Sequence, residues 1–212
     1  MIILTVQERS FLPNMSDEIL SLKEQAEDLS MHLFWQQGYF NTSIDELVKV
    51  SGLSRAAIYK HFGGKESLFV MMLKRYREYL TRHFFVPLQS GQGIEAIFAF
   101  FDQFIELSKQ GKLQHGCFFI ATASEIPSHQ NAIKAVINAF LEELSSLFCR
   151  ALDYGKEHNQ LSQSLDSEAV SSFLVANVFG LFTLARAVNN TDWLSNQVTM
   201  IKQFLGAYQM SF

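Results

Sequence analysis

Proline is scarce in this chain, with three residues in 212, at positions 13, 87 and 127. Proline removes a backbone donor and clashes with the preceding helical turn, so its rarity leaves long helices open across most of the sequence. Cysteine is scarcer still, with only Cys117 and Cys149. Two thiols do not make a disulfide scaffold, and reduced thiols in a cytoplasmic chain are the expectation. Sustained alternation of apolar and polar residues is missing, which argues against half-buried strands and for an all-α fold. A glycine-rich phosphate loop, a His-Glu-x-x-His run and a Gly-x-Ser-x-Gly elbow are missing as well. Histidines and carboxylates stand singly, so nothing points to an enzyme or to a cofactor. His115, Cys117 and His129 lack the spacing of metal ligands, and no metal site is expected. The apolar Met1–Leu4 run is too short for a signal peptide and has no basic lead. Met15 would serve equally well as a start, and residues 1–15 are read as a disordered arm or upstream extension.

What is present is apolar bulk. Hydrophobic residues make up 48% of the chain and twenty of them are phenylalanine, enough for a substantial helical core at this length. The net charge of −4 at first argues against nucleic acid. It is unevenly spread. Between Met15 and Arg82, Lys23, Lys49, Arg55, Lys60, Lys65, Lys74, Arg75, Arg77 and Arg82 balance an equal number of acids. The excess negative charge follows Arg82. Binding DNA takes a locally positive surface, not a basic whole.

The stretch from Thr42 to Lys65 organises the rest. Ser43 is an N-cap candidate with Glu46 three positions on, which forms a capping box. Ile44, Leu47 and Val48 recur at helical spacing. Gly52 stops this short helix, Ser54 caps the next, and Arg55 to His61 make a second helix. Two short helices about a glycine turn form a helix-turn-helix. Ile58 and Phe62 are four apart and anchor the second helix, leaving Arg55, Ala56, Tyr59 and Lys60 facing outward. Small Ala56 and Ala57 allow a helix to lie deep in a major groove. An alanine methyl can touch a thymine methyl, and arginine can pair with guanine O6 and N7. No acidic residue stands between Lys49 and Lys65. An ordinary solvated basic face explains the charges alone; the capped motif around them favours DNA.

These same residues resemble a known family. Residues 26–69 look like the N-terminal domain of the TetR family of bacterial transcriptional regulators. The resemblance lies in Phe34, Gly38-Tyr39, Thr42-Ser43-Ile44, Asp45, Ser51-Gly52-Leu53-Ser54, Ile58-Tyr59, His61-Phe62 and Lys65-Glu66-Ser67-Leu68. Ser30 departs from a commoner alanine, and Gly64 stands where a serine cap is often found. Double-stranded DNA with a roughly palindromic site is therefore the expected partner. Thr42, Tyr59 and Lys65 are expected to hold phosphate, and Arg55, Ala56 and Lys60 to read bases. Ser43, Ser54, Ala57 and His61 complete the expected DNA-facing set.

Along the rest of the chain, a first helix starts near Ser16 or Asp17 and ends at Gly38. A long helix runs from Lys65 to about Phe85, with its free N-terminal amides suited to phosphate. Pro87 and the Gly91–Gly93 run mark a boundary. Helices follow at 94–110, from Ser128 to about Tyr154 (ended by Gly155), from Asp166 or Ser167 to Val188, and from Thr191 or Asp192 to about Met210. About nine helices are expected, with 16–64 as the DNA-binding domain and 65–212 as a ligand-binding and dimerisation domain. Ala169–Val188 is nearly long and apolar enough to span a bilayer. Ser171, Ser172, Asn177 and Arg186 interrupt it, and no basic flank supports insertion, so a helix buried on two sides is expected instead.

The resemblance implies a homodimer through the last two helices and a small-molecule pocket in the C-terminal domain. Phe101, Phe104, Phe118, Phe119, Phe140 and Phe173 are candidate walls, with Ser124 and Asn177 as sparse polar contacts, a mix that suits a mostly apolar ligand. Each phenylalanine taken singly is more commonly plain core. Cys117 follows Gly116 at a helix start, where the positive helix end is expected to lower its pKa. The Gly-Cys pair also resembles family members that sense oxidants or electrophiles. The expected function is a DNA-binding repressor released by an apolar ligand. The alternatives are a redox or electrophile sensor acting through Cys117, and a helical ligand-binding protein without DNA binding.

Overall fold

The computed structural model describes residues 22–90, 92–125, 131–188 and 191–210. The arm, the first helix start at Ser16 or Asp17, the Ser128 cap and His129 lie outside them. Among the described residues the chain is helical, with no strand beyond one isolated bridge. The helices are α1 (Leu22–Asn41), α2 (Ile44–Ser51), α3 (Arg55–Phe62), α4 (Lys65–His83) and α5 (Val86–Ser90). They continue with α6 (Gly93–Lys109), α7 (Phe118–Ala123), α8 (Asn131–Glu157), α9 (Ser167–Ala187) and α10 (Thr191–Gly206). The chain forms two compact units, divided between Lys74 and Arg75, inside α4.

In the N-terminal unit α1 packs on α2 and α2 on α3. Gly38 breaks the regular course of α1 with φ 80° and ψ 173°, a conformation that glycine enters without steric cost. Phe34, Leu47, Ile58, Phe62, Phe69 and Trp35 are buried. Phe34 meets Phe69 edge-on at 4.8 Å, and Tyr39 meets the same ring at 5.1 Å. Edge-to-face contacts place a positive ring edge on a negative ring face.

In the C-terminal unit the 27-residue α8 is flanked by α6 and α9, and α10 packs on α6 and α9. Most of this unit's phenylalanines form one connected core. Phe119 stacks on Phe140 at 4.0 Å, Phe85 links Phe140 to Phe100, and Phe148 lies against both Phe100 and Phe101. Phe104 meets Phe182 edge-on at 5.1 Å. Arg77 on α4 is ion-paired with Glu143 on α8.

α9 is two-faced. Val170, Leu174, Val178, Leu181 and Phe182 are buried, while Ala169, Ser172, Phe173, Ala176 and Gly180 are exposed. It has the length and composition to cross a membrane, yet one face is packed on α7, α8 and α10. α10 buries Leu194, Val198, Ile201 and Leu205 and leaves Trp193 60% and Met200 59% exposed.

Two sequence expectations differ here. The segment around Pro87 folds as the short helix α5, because proline is tolerated in a helix's first turn. Gly155 does not end α8, which continues to Glu157. This glycine is buried against Leu161, and the loop it supports is pinned to the chain's end. There Ser162 N–H donates to Tyr208 O at 2.8 Å and Met210 N–H to Gln160 O at 3.1 Å.

Candidate nucleic-acid interface

Local chemistry sets the two short helices. Ser43 adopts an extended conformation before α2, and its hydroxyl accepts from Glu46 N–H at 3.2 Å. The Glu46 carboxylate reaches back to Ser43 N–H at 2.8 Å and Ser43 Oγ at 2.7 Å, closing the capping box. Those bonds hold the Glu46 carboxyl below its usual pKa. Gly52 ends α2 at φ 73°, and its N–H donates to Val48 O at 3.1 Å. Ser54 Oγ accepts from Ala57 N–H at 3.1 Å to start α3. Gly63 ends α3 at φ 80°.

Ile58 and Phe62 are buried and fix α3 to its unit. The opposite side presents Ser54, Arg55, Ala56, Tyr59, Lys60 and His61 to solvent, with Ala57 half-buried. Tyr59 is 55% exposed. The result is a small, shallow, basic helix face with an aromatic hydroxyl at its end. Arg55 is ion-paired with Asp45 on α2, Nη2 to Oδ1 at 2.5 Å. The Lys65 ammonium lies 4.3 Å from the centre of the Tyr39 ring, at the start of α4. Partial burial, with the nearby Glu66 carboxylate, raises the Tyr39 hydroxyl's pKa.

Thr42 departs from its expected role. Its side chain is fully buried and its hydroxyl donates to Gly38 O at 2.7 Å, so no hydroxyl is offered to phosphate. The Ser43 hydroxyl is committed to Glu46.

The structure divides the candidate ligand residues. Phe101, Phe104, Phe118, Phe119 and Phe140 are all buried in the aromatic core. Ser124 is exposed, and its hydroxyl donates to Ile120 O at 3.1 Å. Phe173 and Asn177 lie on the other side of α9. Phe173 is 41% exposed and meets Phe204 at 4.9 Å, while Asn177 accepts from Gln197 at 2.9 Å. A cavity of about 400 Å³ opens elsewhere, lined by Leu88, Gln89, Gln92, Gly93, Arg150, Ala151 and Tyr154. It lies where α5 and the start of α6 meet α8, with Leu88 and Gln89 of α5 on its wall.

Cys117 also differs from expectation. It is 2% exposed, and burial pushes its thiol up to about 11, against the opposing pull of the Ile120 and Phe119 N–H groups and the Tyr76 hydroxyl. Desolvation of the thiolate outweighs the helix end, which here heads a helix of only six residues. Among the described residues no three His, Cys, Asp or Glu side chains gather as a metal site.

Two family models match the chain. One, bacterial regulatory proteins of the tetR family, covers residues 28–72. The other, the tetracyclin repressor-like C-terminal domain, covers residues 93–201. The chain is 23% identical over 171 residues to the uncharacterized HTH-type transcriptional regulator YezE of Bacillus subtilis, spanning 80% of this chain and 88% of YezE. A TetR transcriptional regulator from Chloroflexus aurantiacus superposes with TM-score 0.80 at 22% identity, over 90% of this chain and 97% of that one. A cysteine mutant of the TetR family regulator CifR, solved with its operator DNA, superposes with TM-score 0.72 at 20% identity, over 92% and 98%. The capped helix-turn-helix of residues 44–62 and the matched C-terminal helices together place this chain in the TetR family of DNA-binding transcriptional regulators.

Proposed function

We propose that this chain is a homodimeric, cytoplasmic repressor that binds a roughly palindromic DNA site through two copies of α3. The observation that carries this is the exposed face of Arg55, Ala56, Tyr59 and Lys60, on a helix anchored from behind by Ile58 and Phe62. In this reading Arg55, Ala56 and Lys60 contact base edges, while Tyr59, His61 and Lys65 contact phosphates, with Ser54 and Ala57 beside them. The exposed apolar sides of α9 and α10, with Phe173, Trp193 and Met200, support pairing with a second copy. Two copies of α3 would then enter successive major grooves about 34 Å apart.

Release follows when a small, mostly apolar ligand enters among Phe101, Phe104, Phe118, Phe119 and Phe140. Such a ligand must open part of this packed core. It shifts the equilibrium only by its differential affinity for the two states. α4 runs from Lys65 to His83 in both units, and in this reading it is the route by which a movement in the C-terminal unit would reach Lys65. Sensing through Cys117 has weaker support, since its thiol is buried and held protonated.

The test is selection of duplexes from a random pool by the purified chain at low salt. Enrichment of an inverted repeat with half-sites one helical turn apart is the expected result. No enrichment, with no duplex retained with or without reductant, would sink the proposal.

A further inference from the structure

The ion pair between Arg55 and Asp45 spans the turn of the motif, ten residues apart in sequence. It joins the first residue of α3 to the first turn of α2. Both side chains are largely solvent-exposed, 58% for Arg55 and 80% for Asp45. An exposed pair of this kind adds little to fold stability, and Asp45 is independently favoured by its place in the first turn of α2, so the pair matters here for where it holds Arg55. Its placement is also electrically unfavourable for a DNA-binding face, because a carboxylate beside the first turn of α3 repels phosphate.

We propose that Asp45 is a positioning residue that gives Arg55 its base selectivity. This rests on the assignment of α3 as the recognition helix. The guanidinium is planar and carries five N–H donors in a fixed fork. Asp45 Oδ1 engages Nη2 from one side. The remaining donors, including those on Nη1, stay available for the two acceptors of a guanine edge. Held in this way the fork keeps one plane and one direction. Released, Arg55 is a long flexible cation that can reach a phosphate at any sequence. The carboxylate thus does two things: it orients the fork, and it repels the backbone phosphates that would otherwise compete for it.

The consequence is a trade. Removing the Asp45 charge strengthens binding to every duplex and weakens the preference for the right one. In D45N, binding to a scrambled duplex should tighten, and its logarithmic salt dependence should steepen by about one released counterion. The ratio of selected-site to scrambled-duplex affinity should fall roughly five- to tenfold, at the base pair that Arg55 reads. In an R55A background the same D45N change should leave base preference unaltered, since it acts through Arg55.

The experiment titrates wild type, D45N, R55A and the double variant against the duplex selected by the wild type and against its scrambled counterpart, across a salt series. Circular dichroism melting confirms that each variant is folded. A loss of preference in D45N that is absent from the R55A background supports the proposal. Three results overturn it: an unchanged affinity ratio in D45N, an equal loss of preference in both backgrounds, or parallel weakening on both duplexes. Failure of wild type to select any duplex is a different outcome and strikes the recognition-helix assignment itself.

Discussion

A Cβ atom added to Gly155 would lie 2.8 Å from Cδ1 and 3.2 Å from Cγ of Leu161, a side chain only 1% exposed. The backbone beside Leu161 is held by the Ser162–Tyr208 and Met210–Gln160 hydrogen bonds, so relief must come from its side chain, which is itself buried. Gly155→Ala should therefore destabilise the chain by about 1–3 kcal/mol through overpacking, despite alanine's better helix propensity. Denaturant unfolding checks this. A midpoint at or above wild type would show that the loop yields.

Arg55 and Lys65 should fail differently. Arg55→Ala should relax base preference at one position of each half-site, by about 1–3 kcal/mol. Lys65→Ala should weaken all duplexes alike and lower the salt slope by about one. Paired titrations on selected and scrambled duplexes separate the two effects.

The capping box makes acid stability depend on Glu46. Its carboxyl is held low by the Ser43 backbone and side chain. A depressed carboxylate contributes above its unfolded value, and the contribution fades as pH falls through the lower folded value. Glu46→Gln should therefore lower the melting temperature at neutral pH and narrow the gap to wild type in acid. A gap that stays the same from neutral pH into acid would show that the Glu46 charge contributes nothing, since glutamine can still accept from Ser43 N–H.

Cys117 carries the opposite sign. Its folded pKa is raised to about 11, so its stabilisation is complete below the ordinary thiol value and is lost as pH rises toward 11. Wild type should lose stability across that alkaline window more steeply than Cys117→Ala. In native protein, alkylation followed by mass spectrometry should find the half-buried Cys149 modified before Cys117. The reverse order would revive Cys117 as a sensor.

Met200 tests the second copy. It is 59% exposed in the single chain, where Met200→Glu should change stability by less than about 0.5 kcal/mol. If α9 and α10 pair with a partner, the same change places a charge in an apolar interface. Sedimentation should then show a shift from dimer to monomer. An unchanged sedimentation coefficient would move the interface elsewhere.

The motif was legible in the sequence because capping is local. Ser43 and Glu46, Gly52, and Ser54 with Ala57 settle their bonds within four residues of one another. What sequence could not show depends on distant partners. Thr42 looked free until the Gly38 kink left a carbonyl for its hydroxyl. Gly155 looked like a terminator because its reason, Leu161, lies on a returning loop. The apolar run of α9 hides which side faces the core, so Phe173 and Asn177 could not be separated from the buried phenylalanines by periodicity. The helix end at Cys117 is visible in the sequence, whereas the desolvation that decides its pKa comes from distant residues packed around it.

The chain has two tryptophans, and they report on different things. Trp35 is 4% exposed in the core of the N-terminal unit, while Trp193 stands 60% exposed at the start of α10. Their emission gives the protein two optical probes without labelling. Trp35 should emit in the blue and resist iodide quenching until its unit melts. Trp193 should emit in the red and be quenched freely in a lone chain. Its spectrum should shift with protein concentration if a second copy covers it, so dilution alone can separate assembly from folding.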